Sequence, residues 1–364
     1  MRDELAERLL AKVMGWDSPD LARERPLLQN LADLKYDGYH NFYPGMRFVE
    51  SLAVWLGQFR SAEERKLAYT LVRDKLVFVS DEEMAHLVSM VFPDLVRPHL
   101  VRKLSRELGR TEGDLVSARE EPDYRTLLRQ TLFLGMSDGA RMDSFRRFNP
   151  RISHEQVYPT CDIASRKCED LLRKLHEGLE ASGILSVPAK PYFRVLVLMD
   201  DFSASGFTCK SKLNRVLEDL VNPTKDIQKL VRLDDLQIYV VQYIATETAL
   251  NRIKESVTEW SESHQQLMDV SVEAVQLLPE SVRVNVSSQP TLENLLRTYY
   301  DSAIETEAYR KGAHSRPFLG FDECCLPVVL SHNTPNDSLP ILWFDETHSV
   351  RGLFPRVTRH GART

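Results

Sequence analysis

Two kinds of hydrophobic pattern divide the chain. In its first third, apolar residues recur at helical spacing. Within MRFVESLAVWLGQF, Phe48, Leu52, Trp55, Leu56 and Phe59 fall on one face, as in an amphipathic helix with a buried stripe. Such a stripe is read as core, where large aromatic and aliphatic side chains concentrate. SAEE, beginning at Ser61, is a capping-box pattern that opens the helix AEERKLAYTLVRDKLV, and Ser80 with Glu83 repeats it before MAHLVSMVF. The polar, glycine-containing stretch SRELGRTEGDLVSAREEPD, over 105–123, predicts a linker. A helical region is therefore expected over 1–115 and a second domain over 116–364.

Beyond that seam the period changes. LRQTLFLGMSDGARMDSF predicts a short strand, a turn bracketed by Gly135 and Gly139, and a helix start. CDIASRKCEDLLRKLHEGLEASG reads as a helix ending at Gly183. The run Val195–Met199 predicts a buried strand, KSKLNRVLEDLV a helix, LQIYVVQYIA a long strand and ETALNRIKESVTEWSES a helix. VSVEAVQLL, CCLPVVLSHN and SLPILWF close the series as further strand candidates. Strands alternating with helices predict an α/β domain with a mainly parallel sheet and flanking helices, behind an N-terminal all-α region.

Composition narrows the classes. The 364 residues are 43% hydrophobic and 27% charged, enough for a sizeable core. A net charge of -6 argues against a general polyanion binder, although nucleic acid is not excluded as a partner. No apolar run reaches membrane-spanning length, and the charged start MRDELAERLLAKVMGWDS is unlike a signal peptide. Five cysteines without a C-x-x-C pair read as reduced thiols in a cytoplasmic protein, with no structural zinc.

The candidate chemistry lies in VLVLMDDFSASGFTC. In open α/β sheets, ligands sit beyond the carboxyl ends of strands, where the apolar run puts Asp200 and Asp201. The following loop carries Ser203, Ser205, Gly206 and Thr208 ahead of a helix start, which suits an anion. Adjacent carboxylates suit ribose hydroxyls, directly or through a hydrated Mg2+ that bridges to phosphate oxygens. Two half-buried like charges are costly unless a cation or ligand satisfies them.

Four apolar residues, an acidic pair, small residues and then Ser-Gly-x-Thr resemble the phosphoribosyl diphosphate (PRPP) signature of type I phosphoribosyltransferases. The resemblance implies that Asp200 and Asp201 address the ribose and metal. It implies that Ala204, Ser205, Gly206, Phe207 and Thr208 wrap the 5′-phosphate. An earlier loop of Gly135, Met136, Ser137, Asp138, Gly139 and Arg141 is similar to the family's diphosphate loop, with Arg141 able to pair with the diphosphate bidentately. RRFNPRISHEQVYPT is expected to be either the family's mobile loop, with Arg146, Arg147 or Arg151 reaching phosphate, or a solvated surface loop.

LPVVLSHNTPNDSLPILW, GLFPRVTRH, RFVESLAVWLGQF and LVFVSDEEMAHL look like phosphoribosyltransferase-like proteins of bacterial conflict and defence gene clusters. That resemblance implies an antiphage role and a protein partner encoded nearby. His332, Asn333, Thr334 and Asn336 read as an acceptor-recognition loop or equally as a turn braced by Asn side chains and Pro335. Arg356, Arg359 and His360 form a small basic tail.

One position departs from the family. Some members place a general-base aspartate where this chain has Ala204, which moves no proton. His154, Glu155 and His332 are base candidates by residue type alone. Two readings follow: phosphoribosyl transfer from PRPP with release of diphosphate, or a catalytically inactive sensor of PRPP or a related nucleotide that signals to a partner. A receiver-like domain is disfavoured, since no phospho-acceptor aspartate and lysine follow in order. The acceptor, the oligomeric state and the trigger are left open.

Overall fold

The computed structural model describes residues 3–42, 45–110, 122–181, 190–265, 268–312, 315–345 and 349–356. Along the chain, α1 (Asp3–Met14), α2 (Ser18–Leu34), α3 (Phe48–Gly57) and α4 (Ala62–Lys75) precede the short strand β1 (Val77–Val79). Then come α5 (Asp81–Met90), a π-helical turn over Val91–Val96, α6 (Arg97–Glu107) and α7 (Pro122–Arg129). The alternating part follows: β2 (Thr131–Gly135), α8 (Met142–Phe148), β3 (Val157–Tyr158), α9 (Ser165–Ala181) and β4 (Val195–Ser203). It continues with α10 (Phe207–Val221), β5 (Gln237–Thr246), α11 (Glu247–Ser263) and β6 (Asp269–Leu278). α12 (Pro290–Thr298), α13 (Glu307–Gly312) and β7 (Val328–Leu330) complete the series.

The chain divides into two compact units, one of residues 1–84 with 280–364 and one of 85–279. This differs from the expected boundary at 115/116, and most of the expected linker, 111–121, lies outside the described residues. The physical reason is in the packing of the first unit. There β1 and β7 form a parallel pair, Val77 opposite Val328 and Val79 opposite Leu330. The Trp55 indole N–H donates to the Ile341 carbonyl at 3.0 Å, and Phe354 stacks on Phe48 at 5.9 Å. The C-terminal segment thus fills the core of the N-terminal helices instead of extending the main sheet. Phe48, Leu52, Trp55, Leu56 and Phe59 are buried there, as their helical spacing predicts. Both capping boxes form, Ser61 with Glu64 and Ser80 with Glu83.

The C-terminal strand candidates are corrected accordingly. β7 lies in the two-stranded sheet, and SLPILWF holds a 3-10 turn over Pro340–Leu342, where proline lacks the N–H a central strand needs.

The second unit is a five-stranded parallel sheet in the order β3-β2-β4-β5-β6. Val195 to Met199 of β4 are completely buried, as befits a central strand covered on both faces. α9 buries Cys168, Leu171, Leu175 and Leu179, and α10 buries Leu213, Val216, Leu217 and Leu220, each set at helical spacing. After β2 the chain steps outward to β3 and then returns to place β4 on the other side of β2. The direction reverses between β2 and β4. That makes the carboxyl end of the β2–β4 pair a topological switch point, where parallel α/β sheets form the crevice that holds ligands.

Candidate functional site

Two loops meet at that crevice. The first leaves β2 at Gly135, which has no room for a side chain: a Cβ would come 2.5 Å from the Pro159 carbonyl oxygen. Met136 N–H still donates to the Met199 carbonyl at 2.8 Å, prolonging the pairing with β4 by one residue. Ser137 then turns its hydroxyl onto the Asp200 carboxylate. Asp138–Ala140 form a 3-10 turn, whose Ala140 carbonyl accepts from the Tyr243 hydroxyl. Arg141 has left-handed backbone (φ 45°) and heads α8.

The second loop leaves β4 later than its sequence suggests. β4 continues through Ser203, so Asp200 and Asp201 belong to the strand's last residues, and the turn is only Ala204–Gly206. Phe207 and Thr208 stand in the first turn of α10. Gly206 adopts φ +81°, a conformation that glycine takes without strain. It heads α10 without any side-chain cap, and the first amide donating into the helix is that of Lys210, to the Gly206 carbonyl at 2.9 Å. No acidic residue occupies the helix's first turn. Such an end presents N–H groups and a partial positive charge.

The two loops touch through the acidic pair. A Cβ on Gly139 would overlap the Asp201 carboxylate, so a glycine is what lets the diphosphate-like loop lie against it. Asp200 is 5% exposed, and its Oδ2 stands 3.8 Å from Lys212 Nζ on α10. Its Oδ1 also accepts from the Asp201 amide at 3.2 Å. Burial, reinforced by the Asp201 charge, pushes the Asp200 carboxyl up to about 7, against the opposing effects of Lys212 and the Ser137 hydroxyl. A divalent cation or a ribose diol would relieve that repulsion.

Among the described residues no group of three or more His, Cys, Asp or Glu side chains forms a metal cluster. Asp200 and Asp201 are the residues that would hold a Mg2+ ion, which is commonly held by one or two carboxylates and completed by phosphate oxygens and water. Cys161, whose thiol donates to the Gly135 carbonyl at 3.3 Å, is pushed up to about 12 by burial and the nearby Asp200. Burial raises Cys209 as well, so neither thiol is poised as a nucleophile at neutral pH.

The structure therefore brings Gly135 to Arg141 and Asp200 to Thr208 together at one crevice. It treats the other candidates differently. Arg146 and Arg147 lie on α8 and both pair with Asp143, Arg147 at 2.6 Å. Arg151 is exposed, and Glu155 is ion-paired with Lys174 on α9. The stretch 146–160 thus contains part of α8, a 3-10 turn at His154–Gln156 and β3, and the expected surface loop shrinks to 149–153 and 159–160.

His332, Asn333, Thr334 and Asn336 belong to the other compact unit, where they hold a turn. Leu330 and Asn333 exchange backbone bonds at 3.3 and 3.0 Å, and the His332 carbonyl accepts from Asn41 at 3.0 Å. Thr334 is buried and donates to the Phe354 carbonyl at 3.0 Å, and the Asn336 carbonyl accepts from Phe321 N–H at 3.0 Å. Arg356 lies over the Trp343 ring at 5.7 Å, whereas Arg359 and His360 fall outside the described residues.

Four side chains that contact Asp200 or these loops escape a sequence reading: Lys212, Tyr243, Thr246 and Arg252. Lys212 sits one turn beyond the loop on α10, a spacing that aims it back at the loop and so was readable in principle. The other three belong to β5 and α11, and only the strand order makes them neighbours of this loop.

Against known proteins, the family model PRTase-CE matches residues 52–356. None of the curated proteins matches the chain, and none of the solved structures does. Among the described residues no helix is long and apolar enough to cross a membrane.

Proposed function

The chain belongs to the PRTase-CE family and is phosphoribosyltransferase-like, and from that premise we propose that it binds PRPP with Mg2+ and transfers the phosphoribosyl group. One observation carries the reading: an acidic pair at the end of β4, Asp200 buried and Asp201 half-buried, stands between an uncapped helix start and a glycine-bearing loop laid against it. Asp200 and Asp201 hold the ribose hydroxyls. The amides at the start of α10, with the Ser205 and Thr208 hydroxyls, hold the 5′-phosphate. The loop from Gly135 to Arg141 holds the diphosphate, with the Arg141 guanidinium as its cation.

Transfer requires a nucleophile to attack C1′ while the bond to diphosphate breaks, through an oxocarbenium-like state. The chain's contribution is to fix the ribose from below and to stabilise the negative charge that develops on the departing diphosphate. Bound Mg2+ would supply further charge neutralisation on the diphosphate oxygens. Ala204, 2% exposed, brings no proton acceptor to the position where some relatives use an aspartate. A base must therefore come from elsewhere, or the acceptor must arrive deprotonated.

Calorimetry with PRPP and Mg2+, coupled to an assay of diphosphate release, tests the reading. Binding that disappears in the Asp200→Asn, Asp201→Asn double variant supports it. Wild-type protein that binds neither PRPP nor ribose 5-phosphate overturns it. Binding without diphosphate release across nucleobase acceptors favours the sensor reading, for which Ala204 is the specific observation. The antiphage role implied by the resemblance of the outer motifs is tested by plaque counts in cells carrying the gene or its double Asn variant.

A further inference from the structure

The turn after β4 is held from behind. The Ala204 carbonyl accepts from Thr246 Oγ1 at 2.6 Å, and the Ser205 carbonyl accepts from the Arg252 guanidinium. Neither donor belongs to the turn: Thr246 ends β5 and caps α11, and Arg252 lies in the second turn of α11. The backbone of α11 is also what a Cβ on Gly206 would meet, 3.0 Å from the Ala249 carbonyl oxygen, so α11 stands at the back of the turn.

Among the described residues no peptide bond is cis. In a trans peptide the carbonyl and the next residue's N–H point in opposite directions. Holding the Ala204 and Ser205 carbonyls toward α11 therefore turns the Ser205 and Gly206 amides away from it. They point to the side opposite α11, beside the start of α10. Arg252 is itself fixed: its guanidinium carbon lies 4.2 Å from the centroid of Phe207, the first residue of α10. One side chain thus grips both neighbours of Gly206, the Ser205 carbonyl before it and the Phe207 ring after it.

We infer that Thr246 and Arg252 are positioning residues for the phosphate seat, a brace through which the β5–α11 turn sets the direction of the amides in the β4–α10 turn. This rests on the preceding reading of that turn as a phosphate seat. The guanidinium has two functions here. It orients the Ser205–Gly206 peptide, and it places a positive charge directly behind the amides that meet the anion. The brace is bonded to the turn after β4, so its effect is expected at the phosphate end of the ligand.

The test uses isotope-labelled full-length protein. Inorganic phosphate is titrated while the Gly206 amide resonance is followed, and affinities for PRPP with Mg2+ and for magnesium diphosphate alone are measured in parallel. Arg252→Met is expected to weaken phosphate and PRPP about tenfold, as for loss of a charged hydrogen-bond donor, and to leave magnesium diphosphate unchanged. Arg252→Lys, which keeps a donor and a charge, is expected to recover part of the loss. Thr246→Val is expected to act in the same direction and Thr246→Ser to resemble wild type, which gives a second route if Arg252→Met does not fold.

Wild-type phosphate affinity in both Arg252→Met and Thr246→Val overturns the inference. So does an equal loss for phosphate and magnesium diphosphate, the mark of general disturbance. PRPP that fails to bind while phosphate still moves Gly206 in a brace-dependent way overturns the PRPP reading and supports the brace. Phosphate that leaves the Gly206 resonance unmoved in wild-type protein overturns both.

Discussion

Two strand-to-helix turns lie side by side in the same parallel sheet, with Ser203 of β4 in register with Ala245 of β5. They are built in opposite ways. β5 runs into α11 with no intervening loop, and Thr246 closes the helix end with its own hydroxyl, which accepts from the Ala249 amide at 3.0 Å. β4 ends in two carboxylates and runs through a turn to a glycine, and α10 begins without a cap. The first turn satisfies its polar groups internally. The second leaves its helix start without a side-chain cap and crowds two carboxylates at the carboxyl edge of the sheet, where the topology already invites a ligand.

The difference shows where the chain forgoes stability. A glycine at the helix start gives up on the order of a few tenths of a kcal/mol against a Ser, Thr, Asp or Asn cap. A buried carboxylate beside a second one adds a desolvation cost. Neither cost occurs at the β5 turn one strand away. Departures from locally optimal chemistry of this kind concentrate at functional sites. The closed turn also supports the open one, since its capping threonine and the following arginine hold the open turn's carbonyls.

The comparison breaks most sharply at Gly206. A β-branched residue at φ +81° is strained, and its Cβ would press on the Ala249 backbone at 3.0 to 3.1 Å. Gly206→Val should therefore push the turn off its brace, and so act differently from a simple plug in the phosphate seat. PRPP affinity is expected to fall by more than about 100-fold, equivalent to ~2.7 kcal/mol, with a lower melting temperature as well. Calorimetry and thermal melts check both. An affinity within twofold of wild type would contradict the assignment of this turn. The next effect is at Gly139, where Gly139→Ala forces the Asp201 carboxylate to move. Affinity for PRPP with Mg2+ should drop about tenfold, or 1.4 kcal/mol, while phosphate binding at the α10 end is retained. Equal losses for both ligands would show that the two loops are not separate subsites.

How much of this contrast was legible in the sequence depends on the range of the interaction. The stripe Phe48–Phe59, both capping boxes and the strand–helix alternation are local patterns, and each appears where its spacing predicts. The acidic pair and the small-residue turn are also local, although the strand reaches past both carboxylates to Ser203. Long-range partners were not legible. Val328–Leu330 has the same apolar texture as a strand of the main sheet, and nothing in three residues says that its partner is β1. Leu339–Phe344 is uniformly buried, yet Pro340 makes it a turn. Arg252 looks like any polar residue on a helix surface. Its role depends on β5 lying next to β4, which is a property of the sheet order.

Asp200 offers a smaller test through pH. Its carboxyl is raised from 3.8 to about 7, so between those values the folded chain holds a proton that the unfolded chain has lost. The unfolding free energy contributed by this group therefore falls as pH rises across that window. Compared with Asp200→Asn, ligand-free wild-type protein should lose melting temperature from pH 4 toward pH 7. A constant difference between the two proteins over that range would remove Asp200 from the buried, charge-crowded position described. A ligand that needs the carboxylate anion should conversely bind more tightly as pH rises through about 7.

The closed turn supplies the smallest effect. Thr246→Ser keeps the hydroxyl that both caps α11 and donates to the Ala204 carbonyl, so its stability should stay within about 0.5 kcal/mol of wild type. Thr246→Ala removes the cap, at about 1 kcal/mol, and leaves a buried carbonyl without that donor. A drop in melting temperature of a few degrees is expected, with a partial loss of phosphate affinity like that of Thr246→Val, well short of the loss at Gly206. The ratio of the two readouts carries the argument. A substitution in the closed turn should move stability more than affinity, and one in the open turn should move affinity more than stability. If Thr246→Ala were to abolish binding while leaving the melt unchanged, the two turns would have to be treated as one site, and the distinction between a structural turn and a functional one would no longer hold.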